Sequence, residues 1–206
     1  MTNTWAMLSQ LGDSRLLLPT AAVLIAAGAW QRHAWARRWA VVLIAVGLIV
    51  LASKLVFLGW GIGIARLDFT GFSGHAAISA IVWPVVLWLL FGSGQRGRWG
   101  GAVGLMLAIA IAYSRLPLNA HSWSEVISGF VLGAAGTLMT ISGSASAQRL
   151  HRGWVAAALL AGACVPVAIP QVHTHQMVVK LAKTLSGTVK EFDREMLRHR
   201  EQRKTH

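Results

Sequence analysis

The sequence predicts an all-α fold: a polytopic membrane bundle of about six transmembrane helices followed by a C-terminal amphipathic helix. Three observations carry that expectation. Of the 206 residues, 55% are hydrophobic and only 13% charged, well away from the balance of soluble domains. The apolar residues gather into six segments near membrane length. The arginines gather in the short loops between segments, the pattern of cytoplasmic loops.

The elements follow in order. In residues 1–15, Trp5, Met7, Leu8 and Leu11 recur at helical spacing and predict a short helix on the membrane surface. Span 1 runs from Leu16 to Trp30, short for the hydrocarbon core without help from its flanks. Arg15, the run to Ala27 and Ala27-Gly28-Ala29 also loosely fit a secretory signal, but the segment is expected to be retained. A basic loop with Arg32, Arg37 and Arg38 precedes span 2, Trp39 to Gly59, which carries Lys54 near its end. Span 3 runs from His75 to Phe91 with Pro84 inside, where a kink is expected. The loop 92–98 holds Arg96 and Arg98, and span 4 runs from Trp99 to Tyr113. Span 5, Trp123 to Ile141, is rich in Gly and Ala and suited to close packing. The loop 142–152 holds Arg149 and Arg152; span 6 runs from Gly153 to Ile169.

The chain divides into a membrane domain, 1–170, and a basic tail, 171–206. In the tail Val178, Leu181, Ala182, Leu185, Val189, Phe192 and Met196 recur at steps of three and four, predicting one amphipathic helix. Six spans put the three basic loops on one face, expected to be cytoplasmic, and the loops 59–74 and 114–122 together on the other. The basic tail then falls on the non-cytoplasmic side, against the positive-inside trend, and is expected to lie there as a surface helix.

A formal charge of +12 raises the question of nucleic acid. The arginines follow the membrane loops instead, so no nucleic-acid partner is expected; the partners are the bilayer and a membrane lipid. Cys164, the single cysteine, excludes an intrachain disulfide and reads as a packing residue. His173 and His175 have the look of a metal pair, but two ligands do not make a site.

The reactive side chains concentrate at the two non-cytoplasmic loops. One cluster is Phe72-Ser73-Gly74-His75; the other is Ser114-Arg115, then five residues, His121, then three residues and Glu125. Cleaving a phosphate ester needs cations around the equatorial oxygens, a nucleophile, and an acid for the leaving oxygen. Arg115 offers a planar fork and Lys54 a point charge. Ser73 and the Gly74 backbone offer donors, with glycine allowing close approach. Glu125 lies one helical turn beyond His121 and can hold its Nδ1 proton. Other readings stand beside these. Ser122-x-x-Glu125 is also a capping box, and Lys54 could simply snorkel to the headgroups.

The second cluster resembles the third signature, Ser-Arg-x5-His-x3-Asp, of the type 2 phosphatidic acid phosphatase superfamily, with Glu125 in place of the aspartate. Phe72-Ser73-Gly74-His75 is similar to its second signature, Pro-Ser-Gly-His, with Phe72 for the proline. Lys54 resembles the lysine that opens its first signature, Lys-x6-Arg-Pro, but Gly61-Ile62 stand where Arg-Pro would be; Arg66 is the nearest arginine. The resemblance covers about residues 40–140. It implies a lipid phosphatase that uses no metal or other cofactor and acts on a phosphomonoester or pyrophosphate of a membrane lipid, such as undecaprenyl pyrophosphate, phosphatidic acid or phosphatidylglycerol phosphate. His121 would attack phosphorus and form phosphohistidine, His75 would protonate the leaving oxygen, and Glu125 would orient His121. Lys54, Arg66, Ser73, Gly74, Ser114 and Arg115 would bind the phosphate. The implied location is the bacterial inner membrane, with the site facing the periplasm or exterior. Two alternatives remain: a lipid phosphotransferase using the same histidine, and a non-catalytic lipid-binding or transport protein with a degenerate site.

Overall fold

Each of the six expected spans is helical in the computed structural model, which describes residues 2–92, 94–142, 150–170, 174–188 and 190–202. The helices are α1 (Thr2–Gln10), α2 (Ser14–Trp30), α3 (Ala34–Trp60), α4 (Gly74–Phe91), α5 (Gln95–Ser114), α6 (Trp123–Ile141), α7 (Arg152–Ala168), α8 (Thr174–Ser186) and α9 (Arg194–Gln202). Among the described residues there is no strand, only one isolated bridge between Ile64 and Phe69. Among the described residues, four stretches are long and apolar enough to cross a membrane: Asn3–Trp30, Ala34–Trp60, Gly74–Phe91 and Trp123–Ile141. The chain is therefore read as an integral membrane protein. The expected residues Ser93, Arg149, His173 and Val189 lie outside the described residues.

The helix α4 is the central one. Nearly all of it is buried, from Ala76 to Leu89, and α5 and α6 lie along it. Small residues set those approaches. A Cβ on Gly133 would come 2.1 Å from the Ala77 carbonyl oxygen, and one on Gly129 would come 2.7 Å from that of Ser73. Only glycine lets α6 lie this close to α4. On the other side a Cβ on Gly100 would meet the Leu87 carbonyl oxygen at 2.5 Å. α5 begins at Gln95 and so takes in Arg96 and Arg98, expected in the loop. α4 also continues through Pro84. Proline has no N–H to give the Ala80 carbonyl, and the hydroxyl of Thr137 on α6 donates to that oxygen instead, at 2.6 Å.

The core cluster includes Leu17, Leu24, Trp35, Trp39, Ile81, Val82 and Val85. Trp39 donates its indole N–H to the Ile81 carbonyl at 3.2 Å. Outward-facing residues are apolar too: Val41, Ile44 and Leu48 on α3, Met106 on α5, Val131 and Leu138 on α6, and Leu160 on α7 are all exposed. In water such a surface would drive aggregation; against lipid it is the expected boundary. Cys164 belongs to this exposed surface of α7 rather than to packed interior as expected.

Two further expectations change. The expected N-terminal helix forms as α1, Thr2–Gln10, but it packs on the end of α5, with Trp5 and Tyr113 ring centroids 5.5 Å apart. The tail is two helices rather than one. α8 ends at Ser186, and Gly187 follows at φ +69, the left-handed conformation that closes a helix. Both tail helices dock at one end of the bundle. Residues Ala182 and Ser186 of α8 approach Gly59, and the Phe192 N–H donates to the Leu58 carbonyl at 3.1 Å.

Candidate active site

The two reactive loops meet at that same end, and backbone bonds tie them together. The Ser73 N–H donates to the Glu125 carbonyl oxygen at 3.0 Å, joining the start of α4 to the first turn of α6. Ser73 is fully buried and caps α4, its hydroxyl oxygen accepting from the Ala76 N–H at 3.4 Å. The α4 N-terminus thus lies at Gly74, which lines the cavity described below, a setting that favours an anion.

Glu125 is fully buried, yet both of its oxygens are saturated with donors. Oε2 accepts from His121 Nδ1 at 2.7 Å, from the Ser122 N–H at 3.2 Å and from Arg194 Nη2 at 2.9 Å. Oε1 accepts from the Thr70 N–H at 2.8 Å and from the Thr70 hydroxyl. The capping box and the contact to His121 coexist on one carboxylate: the Ser122 hydroxyl oxygen accepts from the Glu125 N–H at 3.4 Å. With Glu125 ionised, Nδ1 of His121 carries the proton and Nε2 keeps its lone pair. Burial pushes the His121 imidazole below its usual range, outweighing the opposite pull of the Glu125 hydrogen bond.

Beside this pair lies a cavity of about 660 Å³. Lys54, Gly74, His75, Arg115 and Ala120, the neighbour of His121, are among the residues that line it. Lys54 therefore faces the site rather than snorkelling away. The rest of the lining combines the apolar Leu18, Val50, Leu51, Ile78 and Val178 with Asp13, Ser14, Arg15, Thr174 and His175. Cations and apolar side chains lining one cavity suit an amphiphile. Arg115 donates from Nη1 to the Ser9 hydroxyl oxygen at 2.5 Å, while its buried Nε has no partner among the described residues. An orphan buried guanidinium N–H is costly unless a ligand completes it.

The other expected residues sit differently. Ser114 is fully buried and donates its hydroxyl to the Ile111 carbonyl at 2.6 Å. Arg66 is exposed on a short 3-10 turn, Ala65–Leu67, and is not among the residues lining the cavity. Two contributors were missed. The turn between α1 and α2 forms part of the wall, with Gly12 packing against His75, and Ser9 near the end of α1 holds Arg115. Arg194 comes from the tail, about seventy residues beyond Glu125. Nothing in local spacing pointed to either; the charge of the tail's apolar-striped helix was the only available signal.

A family model described as the PAP2 superfamily matches residues 65–149, the stretch that holds both reactive loops. The chain belongs to the PAP2 superfamily. Members of PAP2 are generally phosphatases, so a phosphoric ester hydrolase is the general reading of the chain. Over 194 residues the chain is 40% identical to a protein from Klebsiella pneumoniae named "Uncharacterized 22.5 kDa protein in cps region", covering 90% of this chain and 89% of that one. No solved structure matches the chain.

Proposed function

We propose that this PAP2 chain is a metal-independent lipid phosphatase that works through a phosphohistidine at His121. The observation that carries the reading is the fixed Nδ1 of His121, 2.7 Å from a buried carboxylate, beside a cavity lined by cations and apolar side chains. Lys54, the Arg115 guanidinium with its unpaired Nε, the Ser73 hydroxyl and the Gly74 amide hold the phosphate oxygens; Ser114, its hydroxyl bound to the Ile111 carbonyl, ends the helix that presents Arg115. Arg66 stays in the proposal as a solvent-side cation.

His121 Nε2 attacks phosphorus, and the bond from phosphorus to the lipid-side oxygen breaks. His75 gives that oxygen its proton. Water then attacks the phosphorus as its bond to His121 Nε2 breaks, His75 takes the water's proton, and inorganic phosphate leaves with His121 restored. The apolar side chains of the lining receive the lipid chain. Undecaprenyl pyrophosphate, phosphatidic acid and phosphatidylglycerol phosphate are the substrate class; release of phosphate from a panel of these by the purified protein tests the reading, and no release from any of them overturns it.

Activity is expected to persist in excess EDTA. Lys54 and Arg115 supply the positive charge, and outside the tail the carboxylates are only Asp13, Asp68 and Glu125, too few for bridged metals. Loss of hydrolysis in EDTA with recovery in magnesium would contradict this.

The proposed topology has six crossings with the site on the non-cytoplasmic face, in the bacterial inner membrane. Two tryptophan belts support it. Trp30, Trp99 and Trp154 are exposed at one end of the bundle, Trp60 and Trp123 at the other. The first end carries Arg32, Arg37, Arg38, Arg96, Arg98 and Arg152 and no acidic residue. In a Cys164→Ser background, cysteines introduced at Ile62 and Pro117 should label with an impermeant thiol reagent in intact cells, and one at Gln31 should not. The opposite pattern would invert the orientation.

A further inference from the structure

We infer that Arg194 is a positioning residue for this site: from the C-terminal tail it fixes the Glu125 carboxylate that holds His121. The inference rests on the proposed phosphohistidine reading and extends it to a part of the chain outside the family match, which ends at residue 149.

The contact is anchored on several sides. Arg194 Nη2 donates to Glu125 Oε2 at 2.9 Å, and Nη1 to Asp68 Oδ2 at 3.3 Å. Arg198 donates to the same Asp68 oxygen at 3.1 Å. Leu197, only 8% exposed, packs against Gly63 and seats α9 on the loop after α3. Arg194 is not among the residues lining the cavity, so it acts through Glu125 rather than on the phosphate.

The chemistry follows from sharing an oxygen. Glu125 Oε2 accepts from His121 and Arg194 together, so the guanidinium draws negative charge away from the imidazole. The charged and titratable groups around His121 are Glu125, Lys54, His75 and Arg115, with Asp13 beside the arginine and Asp68 behind Arg194. Of these, Arg194 is the cation bound directly to the His121 partner. It disfavours the imidazolium, keeping Nε2 available, and a less electron-rich imidazole is also the better leaving group when water attacks the phosphorylated form. Removing Arg194 places the full carboxylate charge on His121 and favours its protonation.

The test uses the full-length protein in detergent, with nitrogen-15-labelled histidine. The His121 signal, assigned by its loss in His121→Gln, is titrated by NMR, and kcat/KM is followed against pH on the hydrolysed lipid. Arg194→Ala should move the His121 midpoint up by about half a pH unit, carry the acid limb of kcat/KM with it, and lower kcat about tenfold. Arg194→Lys should recover part of both, and Asp68→Asn, which removes the anion that shares Arg194 with Glu125, should move the midpoint down. A tail that merely stabilised the bundle would lower the melting temperature and leave the midpoint and the limb in place; that result overturns the inference. If Arg194→Ala does not fold, an unchanged midpoint in both Arg194→Lys and Asp68→Asn overturns it equally. Should the wild type hydrolyse no lipid phosphate, the functional reading fails, while the titration still decides whether Arg194 acts on His121.

Discussion

His121→Ala is expected to abolish phosphate release, with kcat falling by on the order of 10⁴-fold or more, as when other enzymes lose a nucleophile. The fold should survive, because the side chain occupies the site rather than the core cluster. Label from a phosphate-labelled lipid should appear on the wild type, acid-labile and base-stable, and be missing from the variant. Glu125 provides the internal control. A capping box alone would accept glutamine. Here both carboxylate oxygens accept from N–H or O–H donors, so the amide NH₂ of Glu125→Gln must face at least one donor. That variant is expected to lose activity and some stability together, whereas Glu125→Asp should keep part of each. Since His121 must be neutral to attack and burial holds it below the ordinary histidine range, activity should persist into mildly acidic solution and fall only once the imidazole is protonated. Turnover retained in His121→Ala would end the mechanism.

Gly133→Val is expected to cost the protein its fold. A Cβ there would stand 2.1 Å from the Ala77 carbonyl oxygen, a backbone atom in the most buried helix, with no rotamer to give way. α6 would have to move off α4, separating His121 from His75 and opening the bond between Ser73 and Glu125. Overpacking of this kind costs about 3 kcal/mol or more. The check is thermal unfolding in detergent, read beside activity. Gly101→Ala is the matched control, since a Cβ there would meet its nearest neighbours at 3.8 and 3.9 Å, ordinary contact. An unchanged melting temperature in Gly133→Val would mean that α4 and α6 are not held by this seam.

The sequence by itself determined the helical class, the positions of the helices in the bundle and the pairing of the two reactive loops. Each depends on local information. Apolar runs mark helices through their length, and a hairpin of two helices returns Ser73-Gly74-His75 and Ser114-Arg115 to one end. The relation of His121 to Glu125 was legible for the same reason, since four residues make one helical turn. Capping and histidine contact looked like competing readings of Glu125 because a sequence names a side chain but not its separate oxygens; the folded carboxylate serves both. Only the tertiary structure decided which arginine reaches Glu125. Arg66 is close in sequence but faces outward, whereas Arg194 arrives because Gly187 breaks the tail and Leu197 seats α9 beside Asp68. The contributions of Ser9 and Gly12 were hidden in the same way. Contacts across a hundred residues leave no periodicity or spacing behind; they follow from how the helices pack.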